Sequence, residues 1–189
     1  GGHHGAVARG EPEQTGHSHV VGIVVLHPFL ATHRVDDRRL ERLRDLQQFI
    51  MGARAAGADP VEFRLAHLSG DQRLAGVLRL AAEKAGPTGT VGTHRGIAVH
   101  KSFNSYVAQI ADVQMRDDGT IKVEKVTCGV DCGVPINLDN INAQIEGALG
   151  YGLSAILREA ITLVDGEVEQ WNFPDYTPLR ITDMPEVEV

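Results

Sequence analysis

The hydrophobic period of the chain changes at Gly86-Pro87, and that change constrains its fold more than any other feature. Before it, apolar residues recur every three to four positions. Leu40, Leu43, Leu46 and Ile50 make one stripe, and Leu74, Val77, Leu78, Ala81 and Ala85 make another. That spacing predicts helices. Asp36 or Asp37 can cap the first, and Gly57 ends it. Asp59-Pro60-Val61-Glu62 starts a short helix with a cap, a proline at the first helical position and a glutamate three residues after the cap. Ser69-Gly70 closes it, and Gly86-Pro87 stops the last one.

After Pro87 the period falls to two. A Gly/Thr loop runs to Gly96, and Ile97 to Met115 is β-rich. Asp117-Asp118-Gly119 signals a hairpin turn. The return strand alternates through Ile121 and Val123, then through Val126, Cys128, Val130 and Cys132. Its phase slips by one residue near Glu124-Lys125, which predicts a bulge, because a one-residue slip otherwise turns every later side chain to the wrong face. Asn137 or Asp139 caps a further helix with Ile141, Ile145, Ala148, Leu149, Gly152 and Ile156 on its inner stripe. Ile161–Val164 and Val168–Trp171 form a second hairpin about Asp165-Gly166, and Pro185 to Val189 alternates like a strand that ends in mid-pattern. The expected fold is α+β. An irregular Gly/His-rich segment (1–35) precedes a helical segment (36–86), which packs beside a β-hairpin and helix portion (87–189).

Composition excludes several classes of function. With 25 acidic and 18 basic residues and a net charge of -7, the chain offers no basic block for nucleic acid. Its longest apolar stretch, Val20 to Leu30, is broken by His27-Pro28 and is shorter than the ~20 residues of a membrane helix. Two cysteines, Cys128 and Cys132, make no disulfide framework, so a reducing, cytoplasmic compartment is expected. They also cannot supply the four ligands of an iron–sulfur cluster. His3, His4, His17 and His19 lie in an aperiodic end with no carboxylate or thiolate fixed beside them, and no metal site is assigned.

The helix after Asn137 carries Gly147, Gly150 and Gly152 within six residues. Each interior glycine costs roughly 0.5–1 kcal/mol relative to alanine, so the cluster needs a reason. Close packing is one, and approach of a bulky ligand to the backbone is another. Ser105-Tyr106-Val107-Ala108-Gln109-Ile110-Ala111-Asp112-Val113, then Val130-Asp131-Cys132-Gly133 with Ile136-Asn137, then Gln144-Ile145-Glu146-Gly147, resemble the molybdopterin-binding large subunits of the xanthine dehydrogenase and aldehyde oxidase superfamily. Asp59 to Leu65, Ala82-Glu83-Lys84-Ala85-Gly86, Glu159 to Gly166, Gln170-Trp171-Asn172-Phe173, Asp175-Tyr176, Leu179-Arg180 and Met184-Pro185 are similar to its isoquinoline 1-oxidoreductase branch. The resemblance covers roughly Gln48 to Val189; Val20 to Leu46 stand outside it.

The resemblance implies a molybdenum–pterin cofactor, as the molybdopterin cytosine dinucleotide, bound by side chains and backbone amides. It implies oxygen insertion from water into an aldehyde or N-heterocycle. Gln144 and Gly147 match positions that bind the cofactor. The resemblance implies two partners, the remainder of the large subunit and a small iron–sulfur subunit carrying 2Fe–2S clusters. It admits periplasmic as well as cytoplasmic members. His100 matches a position that is often histidine in the branch; a packed strand histidine is the favoured reading. The family's catalytic glutamate lies in a Gly-x-Gly-Glu-like segment, and no such segment occurs in these 189 residues. Glu146 and Glu159 match structural positions instead, so no catalytic residue is assigned. A Gly-Gln-Gly-type phosphate loop is absent too, and Gly16-His17-Ser18-His19 looks like the remnant of a family motif. The expectation is a fragment that is inactive alone and retains no cofactor. The alternative is a truncated or decayed module that serves only as a scaffold or binding domain.

Overall fold

The computed structural model describes residues 52, 53, 55–87 and 92–189. The expectations for residues 1–51, including the helix after Asp36 and the histidine-rich end, lie outside the described residues. Residues 52, 53 and 55 are helical, and after Gly57 at φ +60° two helices follow, α1 (Pro60–His67) and α2 (Gln72–Ala85). Three long strands follow, β1 (Thr93–Ser102), β2 (Ser105–Met115) and β3 (Ile121–Asp131), and then a 20-residue helix, α3 (Leu138–Leu157). A two-stranded hairpin, β4 (Leu163–Val164) and β5 (Glu167–Val168), precedes a last short strand, β6 (Glu186–Glu188). The main sheet runs β1-β2-β3-β6, antiparallel except for the parallel pair β3 and β6.

The helix limits follow local chemistry. The Asp59 carboxylate accepts from the amides of Val61 and Glu62, and Pro60 fills the first helical position. Asp71 caps α2, and Gly86 ends it at φ +63°, a left-handed conformation suited to glycine. Arg95 reinforces that end. Its guanidinium donates to the carbonyl of Gly86 while pairing with both carboxylate oxygens of Asp112 at 2.7 and 2.8 Å.

The bulge expected near Glu124-Lys125 is present. Asp112 pairs with Lys125 and Val113 with Val123, so Glu124 is the extra residue. Val123 and Val126 thereby point into the same core. The stretch 97–115 is a hairpin, not one strand region. Phe103 and Asn104 turn the chain with φ of 47° and 62°, the left-handed pair that a tight two-residue hairpin requires. Asn104 is the only local signal for it, and Phe103 masks that signal.

The layering also differs from a helical half set beside a β unit. Among the described residues, α1 and α2 cover one face of the sheet and α3 covers the other. Leu78, Val77 and Ala81 pack on Ile97, Tyr106, Ala108 and Ile110. On the opposite face Leu149 and Leu153 pack on Ala98, Ala111, Val113, Val126 and Cys128. Helix α2 approaches β3 so closely that a Cβ at Gly129 would overlap the backbone carbonyl of Val77. Gly129→Ala should therefore destabilise the chain by about 1–3 kcal/mol in urea unfolding, the usual cost of overpacking. Gly76→Ala, on the exposed side of the same helix with open space around it, should stabilise it by roughly 0.5–1 kcal/mol.

Candidate functional site

The sequence-derived candidates, Gln144 and Gly147, lie in the first half of α3. A helix turns about 100° per residue, so burying Leu149 and Leu153 on the sheet sends residues 140, 144, 147 and 151 to the opposite side. Gln144, Gly147 and Tyr151 are all exposed there, in one row. The three glycines of α3 separate on this geometry. Gly152 is buried, and a Cβ at Gly150 would touch the Met184 sulfur at 3.6 Å. A Cβ at Gly147 would meet no heavy atom within 4 Å beyond the adjacent backbone of its own helix. Gly152 is thus buried and Gly150 has room for ordinary contact with Met184, whereas Gly147 faces open space.

The start of α3 is held from the far side of the sheet. Asp131, the last residue of β3, accepts two hydrogen bonds from Arg73 of α2 at 2.7 and 2.6 Å. It also accepts from the amide of Gly133 at 3.0 Å, closing a turn in which Gly133 takes φ +88°. Asn137 then caps α3 by accepting from the Asn140 amide. The Arg73 guanidinium carbon lies 4.3 Å from the centroid of the Tyr106 ring, and Lys101 Nζ lies 4.7 Å from it. Lys101 also pairs with Asp71, the cap of α2. One network thus joins the start of α2, the end of β1, the start of β2 and the turn into α3. Sequence reasoning missed Arg73 and Tyr151. Arg73 reaches Asp131 across 58 residues, and Tyr151 was hidden between two glycines.

The exit from α3 is held as firmly. Glu159 accepts hydrogen bonds from Ser154 Oγ and from the Tyr176 hydroxyl, and the Leu179 amide donates to Ser154 Oγ. Glu159 therefore braces the exit from α3. Glu146 is exposed on α3. His100 is half-buried on β1 opposite Val107. Cys128 and Cys132 are free thiols, and burial pushes the Cys128 thiol up to about 12. Among the described residues, no group of three or more His, Cys, Asp or Glu side chains could hold a metal ion, and no helix is long and apolar enough to cross a membrane. A cavity of about 440 Å³ lies at the other end of α3, between the β2–β3 turn and Ile156–Arg158, and includes neither Gln144 nor Gly147. The candidate surface is an open face.

A family model of the molybdopterin cofactor-binding domain matches residues 30–185. The chain belongs to that family. The match starts inside the Val20–Leu46 stretch, so residues 30–46 belong to the family region although they carry none of the motifs quoted above. The chain is 36% identical over 143 residues to the beta subunit of isoquinoline 1-oxidoreductase from Brevundimonas diminuta, covering 72% of this chain and 18% of that protein. It is 34% identical over 159 residues to the membrane-bound aldehyde dehydrogenase (pyrroloquinoline-quinone) of Gluconacetobacter polyoxogenes, covering 69% and 20%. It is 31% identical over 155 residues to a nicotinate dehydrogenase subunit from Pseudomonas putida, covering 71% and 13%. The molybdopterin cofactor-binding domain of this chain therefore spans a fifth or less of the length of these relatives.

The residues present suit a bulky, flat, hydrogen-bonding group. The space at Gly147 is open, the Gln144 carboxamide one turn before it can donate and accept at once, and the exposed Tyr151 ring stands one turn after it on the same row. The Arg73–Asp131 pair is the electrostatic anchor of this end. Arg73 holds the Asp131 carboxyl down at about 2, below its ordinary 3.8, with help from the Gly133 amide. Because the folded value is depressed, the stabilisation is complete above pH 3.8 and is lost as pH falls through about 2. Carboxyl titration followed by NMR should show that low midpoint. Arg73→Gln should move it back toward 3.8 and speed amide exchange at Gly133, leaving the β2–β3 ladder protected.

Proposed function

We propose that this chain is the part of a molybdenum hydroxylase large subunit that presents the outer face of α3 to the pterin of its cofactor. The enzyme class is an oxidoreductase acting on an aldehyde or an N-heterocycle, as the names of two relatives suggest. The observation that carries the reading is the exposed row of α3: Gly147, a costly helical glycine with open space where a side chain would stand, one turn from the Gln144 carboxamide and one turn from the Tyr151 ring.

When bound, a molybdenum–pterin group supplies the redox metal centre for oxygen transfer from water to an electron-poor carbon. The chain's own residues bind and orient. Gln144 would hydrogen-bond the polar edge of the pterin through its amide nitrogen and oxygen. Gly147 would let the ring approach the helix backbone, and Tyr151 would limit its slide along α3. Arg73, through Asp131 and the Gly133 turn, fixes where α3 begins. The carboxylate that would move protons during turnover is not among these residues, since no Gly-x-Gly-Glu segment occurs in the chain. We assign that role to the remainder of the large subunit, electron transfer to a small subunit carrying 2Fe–2S clusters, and the cofactor form to molybdopterin cytosine dinucleotide. The compartment we assign is the cytoplasm.

Two outcomes are expected. The isolated chain should carry far less than one molybdenum per molecule by elemental analysis and should not oxidise an aldehyde; stoichiometric metal with turnover would contradict the assignment. Gly147→Ala should raise the stability of the isolated chain by roughly 0.5–1 kcal/mol, because the helix gains an alanine without a clash. The same substitution in the assembled large subunit should lower its content of pterin and molybdenum. A gain in stability with unchanged cofactor content would remove Gly147 from the site.

A further inference from the structure

The segment between α3 and β6 contributes almost nothing to the cores of the fold, yet it is held in a defined shape. Its root is tied down: Tyr176 and Leu179 bind the Glu159–Ser154 brace, and Arg158 pairs with Asp183 at 2.6 Å. Among the described residues, its outer part, from Ile161 to Phe173, supplies no residue to either hydrophobic core. Polar bonds shape it instead. Gln170 reads both the amide and the hydroxyl of Thr162, at 2.8 Å each. Asp175 accepts from the amides of Trp171 and Asn172, and Asn172 accepts from that of Phe173. The β4–β5 turn places Asp165 and Gly166 at φ 51° and 86°.

This bracing fixes the backbone while leaving its largest side chains in water. Trp171 is 81% exposed and Phe173 92%, and Ile161, Leu163 and Val168 are exposed beside them in sequence. Aromatic side chains of this size bury about 150–250 Å² each when covered. A cluster of that kind on a pre-shaped arm is the make-up of an interface centre, where a few aromatic anchors carry the binding. The arm is acidic: Asp165, Glu167, Glu169 and Asp175 lie between Ala160 and Tyr176, with no lysine or arginine.

We propose that this arm is a docking surface for the rest of the large-subunit polypeptide, whose contacting face is apolar at its centre and carries Lys or Arg at its rim. The inference rests on the proposed function in so far as it takes the chain to be part of a large subunit. Three observations select this occupant. The relatives extend far beyond the region matched here, so four fifths or more of such a polypeptide is available to cover the arm. The exposed aromatic and aliphatic content suits a permanent contact, which is more apolar than an exchanging one. The four carboxylates oppose a second copy of the same arm, since two such arms would repel.

The test is site-specific photo-crosslinking. A benzophenone amino acid replaces Trp171, and in a second variant Phe173, in the protein expressed in cells with its complete large-subunit gene, and the crosslinked peptides are sequenced by mass spectrometry. Crosslinks to large-subunit sequence outside these 189 residues, in peptides containing Lys or Arg, are expected. Crosslinks to a second copy of this chain, crosslinks to an iron–sulfur subunit, or no crosslink at either position would overturn the proposal. Trp171→Ser and Phe173→Ser in the isolated chain should leave its melting temperature unchanged, which keeps a lost crosslink from being read as lost folding. Pterin is assayed in the same preparations. Large-subunit crosslinks without pterin would retain the docking arm and reject the cofactor reading; pterin without such crosslinks would do the reverse.

Discussion

Burial of one stripe of α3 on the central sheet is the constraint on which the rest of the structure depends. Leu149 and Leu153 are fully buried against the strands, and Ile145, Ile156 and Leu157 extend that contact along the helix. Burying a leucine side chain is worth about 1.5–3 kcal/mol, so these residues fix the rotation of α3 about its axis. Once that rotation is fixed, Gln144, Gly147 and Tyr151 have one place to go, the face turned away from the sheet. The proposed cofactor contact is thus a consequence of core packing on the other side of the same helix.

Position along the axis is set by two polar anchors, one at each end. At the start, Arg73 spans the sheet edge to Asp131 and so connects the α2 layer to the turn that launches α3. At the finish, Glu159 and Ser154 gather the helix end, Tyr176 and Leu179. Between them the helix has little freedom to slide. A site that must hold a rigid ring system benefits from such support, because its contacts are only as well placed as the residues behind them. The apolar arm that leaves the second anchor has the opposite character. It is shaped by its own hydrogen bonds and offers its side chains outward, which suits a surface completed by another part of the protein.

Much of this was legible in the residues. The cap at Asp59, the stop at Gly86 and the Asp165-Gly166 turn follow from local chemistry and stand where expected, while the structure chooses Asn137 over Asp139 as the α3 cap and Glu124 as the extra residue of the bulge expected near Glu124-Lys125. The Phe103-Asn104 turn was not legible, because a bulky residue in a left-handed conformation carries no local signature. The layering was not legible either. Whether helices lie beside a sheet or on both its faces is decided by contacts such as Val77 against Gly129, across about 50 residues of chain. In the candidate site the motif named Gln144 and Gly147 but could not tell which of three glycines packs and which faces out. Arg73 escaped notice for the same reason as the layering, since its partner is distant in sequence.

The proposed cofactor contact puts the outer face of α3 against the pterin. An experimental structure of the assembled, cofactor-loaded large subunit tests it most directly. The pterin should be in van der Waals contact with the Gly147 backbone and within hydrogen-bonding distance of the Gln144 carboxamide. A structure in which polypeptide covers that face and the pterin lies elsewhere would contradict it.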